Sequence, residues 1–193
     1  MNGLVLSDIR TLHEYELERP EFRARVIELK KRRRVAIGPA MTIVFENRDT
    51  VRFQIQEMAR IERIVRPERV QEELDVYNEL LPRAGEVAAT LFIEVTEPEK
   101  IRSTLEGLVG LDEPGKLRLV IGDRAYPAVF AAGQSREDRI SAVHYVRFPV
   151  GQEGRSALAG GAPARIEVRH GGYEAAAPLS ADVVAELLTD LAS

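Results

Sequence analysis

Between residues 41 and 66 the hydrophobic pattern changes period once. The stretch MTIVFE, Met41 to Glu46, is almost continuously apolar and β-branched, bounded by Gly38-Pro39 before it and Asn47-Arg48-Asp49 after it. It predicts a largely buried strand. From residue 51 the spacing becomes helical. At about 100° per residue Val51, Ile55, Met58, Ile61 and Val65 share one arc, with Arg52, Gln56, Arg60 and Arg63 roughly opposite. A helix with a core face and a solvated arginine face is expected there, capped by Asp49 or Thr50.

The rest of the chain divides by the same two periods. Ser7 or Asp8 is placed to cap a short helix through Leu17, and Pro20 to open a second from Glu21 to about Arg34, with Phe22, Val26 and Leu29 as its stripe. Val35 to Ile37 reads as the partner of 41–46 in a hairpin. Pro67 opens a helix carrying Val70, Leu74, Tyr77 and Leu81 on one side, and Pro82 stops it. Strands are expected over Val87–Val95, Lys116–Ile121, Tyr126–Phe130, Ser141–Phe148, Ala164–Arg169 and Tyr173–Ala177, with a helix from Pro98 to about Leu108. GQEGRSALAGGAP reads as a flexible loop, and Ser180 caps a C-terminal helix with Val183, Val184, Leu187, Leu188 and Leu191 on its apolar face. This order lacks regular βαβ alternation. It predicts an α+β fold, a mostly antiparallel sheet with helices packed against it. One domain is expected, with a helical region 1–84, a strand-rich region 85–178 and a last helix 180–192.

Composition narrows the chemistry. At 193 residues and 45% hydrophobic, the chain can bury a sizeable core. No apolar run approaches a membrane span, and the N-terminus turns acidic before a signal-peptide core develops, so a cytoplasmic protein is expected. The absence of cysteine removes disulfides, thiolate catalysis, iron–sulfur ligation and cysteine-based zinc sites. His13, His144 and His170 fall at no spacing that pairs imidazoles on a helix, so neither a metal nor a cofactor is expected. Charge is uneven: residues 1–66 carry 14 Lys/Arg against 10 Asp/Glu, the remainder 13 against 21. Such a division suits an encounter with a charged partner.

Two groups of residues are candidates for function. Gln54 and Glu62 fall inside the apolar arc of the 51–65 helix, and Glu57 lies at its margin. A buried carboxylate needs cations or donors, and Arg48, Asn47, Tyr77 and Asn78 are the neighbours in sequence able to supply them. Read as a site, Glu57 and Glu62 are acid, base or metal ligand, Gln54 orients, and Arg48 or Arg60 meets an anion. Read as structure, they form a satisfied network. His144, on a strand face with Phe148, is a further ligand-binding candidate or a core histidine. The second group is the basic run Lys30, Lys31, Arg32, Arg33 and Arg34, which closes a helix where cations complement its carbonyl end. It is a solvated helix end or a docking patch. Nucleic-acid binding is argued against by the lack of interleaved aromatics and of a second basic cluster.

KKRRRVAIGP at 30–39, FENRDT at 45–50, QIQEMARIE at 54–62, EELDVYNELLP at 72–82 and ATLFIE at 89–94 resemble an uncharacterised bacterial family, the DUF3501 domain of unknown function. The resemblance supplies no catalytic residues. It implies a genomic setting beside a rubrerythrin-like di-iron protein and an iron–sulfur oxidoreductase, hence a part in oxidative defence. Without cysteine the chain is expected to bind or position such redox proteins rather than carry electrons, and it leaves a homodimer open.

Overall fold

The computed structural model describes residues 3–95, 97–132, 135–136 and 139–192. A short 3-10 turn at Leu6–Asp8 leads into α1 (Leu12–Lys31), then the hairpin β1 (Arg34–Ile37) and β2 (Met41–Glu46). Helices α2 (Arg48–Ile61) and α3 (Pro67–Tyr77) follow, and β3 (Val87–Ile93) and α4 (Pro98–Gly107) come next. Strands β4 (Leu117–Ile121), β5 (Arg124–Pro127), β6 (Val129–Phe130), β7 (Ser135–Arg136), β8 (Arg139–Ile140) and β9 (Val143–Phe148) precede α5 (Gly151–Ala159). The chain closes with β10 (Ala164–His170), β11 (Tyr173–Pro178) and α6 (Ala181–Leu191).

The strands form two main antiparallel sheets, ordered β1-β2-β3-β9-β6 and β11-β10-β4-β5, where the sequence pattern suggests one. They share a core. Register aligns Ile43, Leu91 and His144 across the first sheet, and these face the second. Leu117, Leu119, Ile166 and Val168 meet them there, with Leu158 of α5 and Val183 and Leu187 of α6 completing the cluster. The opposite face of the first sheet, represented by Tyr145, packs under a helical layer made by Leu4, Val51, Ile55, Leu74, Leu80 and Leu81. β2 is therefore covered on both sides, and all six of its residues are buried. That explains its near-continuous apolar run in an antiparallel sheet, where alternation is the rule.

The β1–β2 turn also ties the sheets together. Gly38 adopts φ +66, and an added Cβ would lie 2.8 Å from the Tyr173 hydroxyl. Tyr173 of β11 donates to the carbonyl of Ile37 and accepts from the Ala40 amide at 3.2 Å. Only glycine combines that conformation with that approach.

Three local expectations are corrected. α1 is one helix, capped by a reciprocal Thr11–Glu14 box rather than by Ser7 or Asp8, and it runs through Pro20. Pro20 lies on the exposed side, where the carbonyl that loses its donor can turn to water. α2 is capped by Asn47, which accepts from the Thr50 amide at 3.0 Å, rather than by Asp49 or Thr50 alone. Finally, 151–159 is helix α5 and not loop: Gly154 packs where a Cβ would lie 2.9 Å from Val150 and 3.0 Å from Tyr126, so close approach replaces the usual apolar stripe.

Candidate functional site

The polar residues of α2 separate in space. Glu57 turns to α1, where Arg19 binds it through Nε at 2.8 Å and Nη2 at 2.9 Å, and the Tyr15 hydroxyl donates to it at 2.7 Å. The Arg19 guanidinium, against the opposing effect of burial, holds Glu57 below the usual carboxylate range. Burial, reinforced by the Glu57 carboxylate, pushes the Tyr15 hydroxyl up. Glu62 is the exposed C-cap residue, and Gln54 is half-buried with its Nε2 unpartnered among the described residues. These three do not converge on one cavity. Their expected partners lie elsewhere: Arg48 binds Asp8 at 2.6 Å, Arg60 binds Glu16 at 2.6 Å, and Asn78 binds the backbone of Leu4 in both directions. Tyr77 packs against the helical-layer core.

The helical wheel assigns Gln56 to the solvated face, and the fold buries it. Its Oε1 accepts from the Arg10 amide at 2.6 Å and its Nε2 donates to the Arg10 carbonyl at 3.3 Å. A side-chain amide presents one donor and one acceptor side by side and so pairs with a single extended residue as a strand would. Gln56 thereby fixes the N-terminal segment against α2. Conversely, Ile61 and Val65, assigned to the core arc, are 69% and 75% exposed. The helix ends at Ile61, and the chain reverses before Val65 can follow the arc.

His144 is fully buried on the inner face of the first sheet, its ring edge-on to Phe130. Nε2 lies 2.8 Å from the Ser141 carbonyl. A carbonyl only accepts, so Nε2 carries a proton, and the buried Nδ1, which has no acceptor among the described residues, favours the neutral ring. Burial pushes its pKa down, in keeping with that state.

The basic run is largely consumed internally. Arg33 is buried and chelates two acids of α6: Nη1 and Nη2 reach Asp190 at 2.7 and 2.9 Å, and Nε and Nη2 reach Glu186 at 3.1 and 2.9 Å. Arg32 also binds Glu186, Arg34 binds Glu94 and Lys31 binds Glu28. Lys30 lies over the Phe53 ring at 6.0 Å. Asp190 is pushed up by burial, whereas in Glu186 the effect of burial is outweighed by Arg32 and Arg33, which hold it low. Arg32 and Arg33 together clamp α6 to the start of β1.

An apolar cleft opens in the helical layer. A cleft of 690 Å³ runs between the N-terminal segment and the α2–α3 corner, floored by Ile9, Leu12, Ala59, Ile64 and Val70 and bordered by Arg10. A second opening shares Leu12 and Val65 with it and adds Ile61, Arg60 and Arg63, so the two form one groove. Leu6, Ile61 and Val65 leave large apolar surface exposed along it. Contiguous apolar surface with a polar rim marks an interaction site. Among the described residues no group of His, Cys, Asp and Glu is arranged to hold a metal ion.

A family described as "Protein of unknown function (DUF3501)" matches residues 4–191. The chain belongs to this family. A solved relative, described as a novel protein of unknown function from Burkholderia pseudomallei K96243, is 36% identical, covers 98% of this chain and 100% of its own, and superposes with a TM-score of 0.91. No curated protein matches. The DUF3501 fold thus extends over nearly the whole sequence, and no residue role comes with it.

Two polar clusters of this DUF3501 protein escape a reading by periodicity. Glu46, at the end of β2, is buried, accepts from the Thr90 hydroxyl at 2.6 Å, and leaves Oε2 without a partner among the described residues. Its signal in the sequence is a threonine interrupting the apolar run of β3 opposite a strand that ends in glutamate. On the second sheet Arg118, Arg165 and Arg169 surround Glu167. Arg165 and Arg169 flank Glu167 at alternate positions of β10, and Arg118 joins them through the β4–β10 register.

Proposed function

We propose that this DUF3501 protein is a noncatalytic, cytoplasmic accessory protein that docks a redox protein through the groove of the helical layer. The observation that carries the reading is the groove itself. It joins a recessed apolar floor to exposed Leu6, Ile61 and Val65, residues that amphipathic patterning would otherwise bury. The partner class comes from the family resemblance: a rubrerythrin-like di-iron protein or an iron–sulfur oxidoreductase. A chain without cysteine contributes binding and positioning to such a system, and the partner supplies the electron carrier. With the basic run Lys30–Arg34 largely neutralised inside the fold, the groove takes its place as the docking surface. No helix among the described residues is long and apolar enough to cross a membrane.

The test is a side-by-side capture from native extract with the wild-type chain and Val65→Asp. Because Val65 is 75% exposed, the aspartate should leave folding intact while placing a charge on the docking surface. A di-iron or iron–sulfur protein enriched by the wild type and lost with the variant is the expected result. Identical co-eluting sets would refute the assignment.

A further inference from the structure

Arg63 holds a backbone conformation that its residue type disfavours. α2 closes with the Ile64 amide donating to the Ala59 carbonyl at 2.8 Å and the Arg63 amide to the Arg60 carbonyl at 3.3 Å. This is the reversal that places one residue in the left-handed region, and glycine or asparagine is the usual occupant. Here it is Arg63, at φ 54, the one non-glycine residue with positive φ among those described. An L-residue is strained in that region because its Cβ crowds the following carbonyl. Nothing in the described fold offsets that strain through the side chain, since Arg63 enters no ion pair or side-chain hydrogen bond among the described residues. Its neighbours do: Arg60 pairs with Glu16 at 2.6 Å, Arg10 with Glu18 at 3.2 Å and Arg69 with Glu72. The turn sets the Arg63 guanidinium on the rim of the groove beside Ile61 and Val65.

We propose that the groove takes an acidic amphipathic helix, whose apolar face lies on Ile9, Ile64 and Val65 and whose carboxylates reach Arg63. The inference rests on the docking reading and specifies its partner by charge. An apolar floor with an unpaired guanidinium on its rim fits a helix presenting i, i+3, i+4 and i+7 apolar anchors and a glutamate-rich flank. A basic helix would meet the same guanidinium as a like charge. Strain retained for a side chain with no internal partner is the pattern expected where the side chain serves a ligand.

The probe is a fluorescein-labelled amphipathic peptide of about 18 residues, with leucines on one face and glutamates on the other, compared with its lysine counterpart. Polarisation titrations would use the wild type, Arg63→Gly and Val65→Asp. The glutamate peptide should bind with an affinity that falls with salt, and the lysine peptide should not bind. Arg63→Gly should weaken the glutamate peptide about three- to fivefold, as for an exposed ion pair, while raising the melting temperature by about 2 °C through relief of strain. Loss of affinity alongside gained stability separates a ligand contact from damage to the fold. Equal binding of both peptides, unchanged affinity in Arg63→Gly, or no binding of the glutamate peptide would overturn the inference. If Val65→Asp abolishes binding while Arg63→Gly leaves the affinity unchanged, apolar docking survives and its acidic partner does not.

Discussion

Replacing Arg33 with methionine tests the clamp between β1 and α6. The arginine side chain is 1% exposed, and its carboxylate partners Asp190 and Glu186 are 6% and 18% exposed, so solvent screens the cluster little. Methionine keeps most of the buried volume and removes four charge-assisted hydrogen bonds. Asp190 is then left without a cation and Glu186 keeps only Arg32, and removing one partner from a buried pair costs about 3–5 kcal/mol. Partial exposure of Glu186 lets it turn toward water, so the low end, about 3 kcal/mol, is expected.

The assay is urea unfolding followed by far-UV circular dichroism, urea being uncharged and therefore no screen for the cluster. The sign of its pH dependence is an independent check. Burial already pushes the Asp190 carboxyl up in the wild type, and without Arg33 it should rise further, so the variant's lost stability returns as pH falls toward the carboxylate range. In the wild type Glu186 is held low, so the stability it contributes is present at neutral pH and lost on acidification. Both effects narrow the gap between the proteins in acid. Adding Glu186→Gln and Asp190→Asn to Arg33→Met should restore much of the loss at pH 7, because amides can pair with each other without a buried charge. A loss below about 1 kcal/mol at neutral pH, or a loss unchanged in acid, would refute a buried electrostatic clamp.

Gln56→Ala strips the Arg10 backbone of its donor and acceptor, at a cost of about 1–3 kcal/mol; the Arg10 amide should lose hydrogen-exchange protection while β2 amides keep theirs, and retained protection would contradict the strap. His144 is held neutral by burial, with a folded pKa below its unfolded value. Its stabilisation is thus present above about pH 6.5 and lost as pH falls through the folded pKa. His144→Leu should remove that slope from a stability–pH curve, and an identical slope in both proteins would place the acid sensitivity elsewhere.

Elements with one dominant period are legible in the amino-acid sequence alone. β2, α6 with its Ser180 cap, and the alternating strand Val143–Phe148 lie close to where the pattern puts them. Their burial is decided by local spacing, which the sequence displays directly. Gln56 and Ile61 show where that logic ends. A wheel places Gln56 opposite the core of α2, yet the N-terminal segment crosses that side, and the position becomes interior only when residues 46 apart meet. Ile61 lies on the apolar arc, yet the reversal at Arg63 ends the helix there and leaves it in the groove. The Glu57 site is a further case: its cation, Arg19, is on a helix 38 residues upstream, beyond any local window. Periodicity tells which face of an element is apolar, and only the topology tells which faces are covered.

Topology also changes what the charge asymmetry means. Along the chain, a basic first third and an acidic remainder look like two surfaces offered to a partner. In the fold the basic run turns inward to the acidic remainder: Arg32 and Arg33 bind Glu186 and Asp190 of the last helix, and Arg34 binds Glu94 after β3. The pairings span up to 157 residues and hold the two ends of the chain to one sheet. A cation already coordinated by two carboxylates has little left to give an outside partner. The charges that matter for recognition are therefore those the fold leaves over, and in the lining of the groove that charge is Arg63. It stands where strained backbone and exposed apolar side chains also meet, so one short turn, from Ile61 to Val65, brings together the features that point outward from this chain.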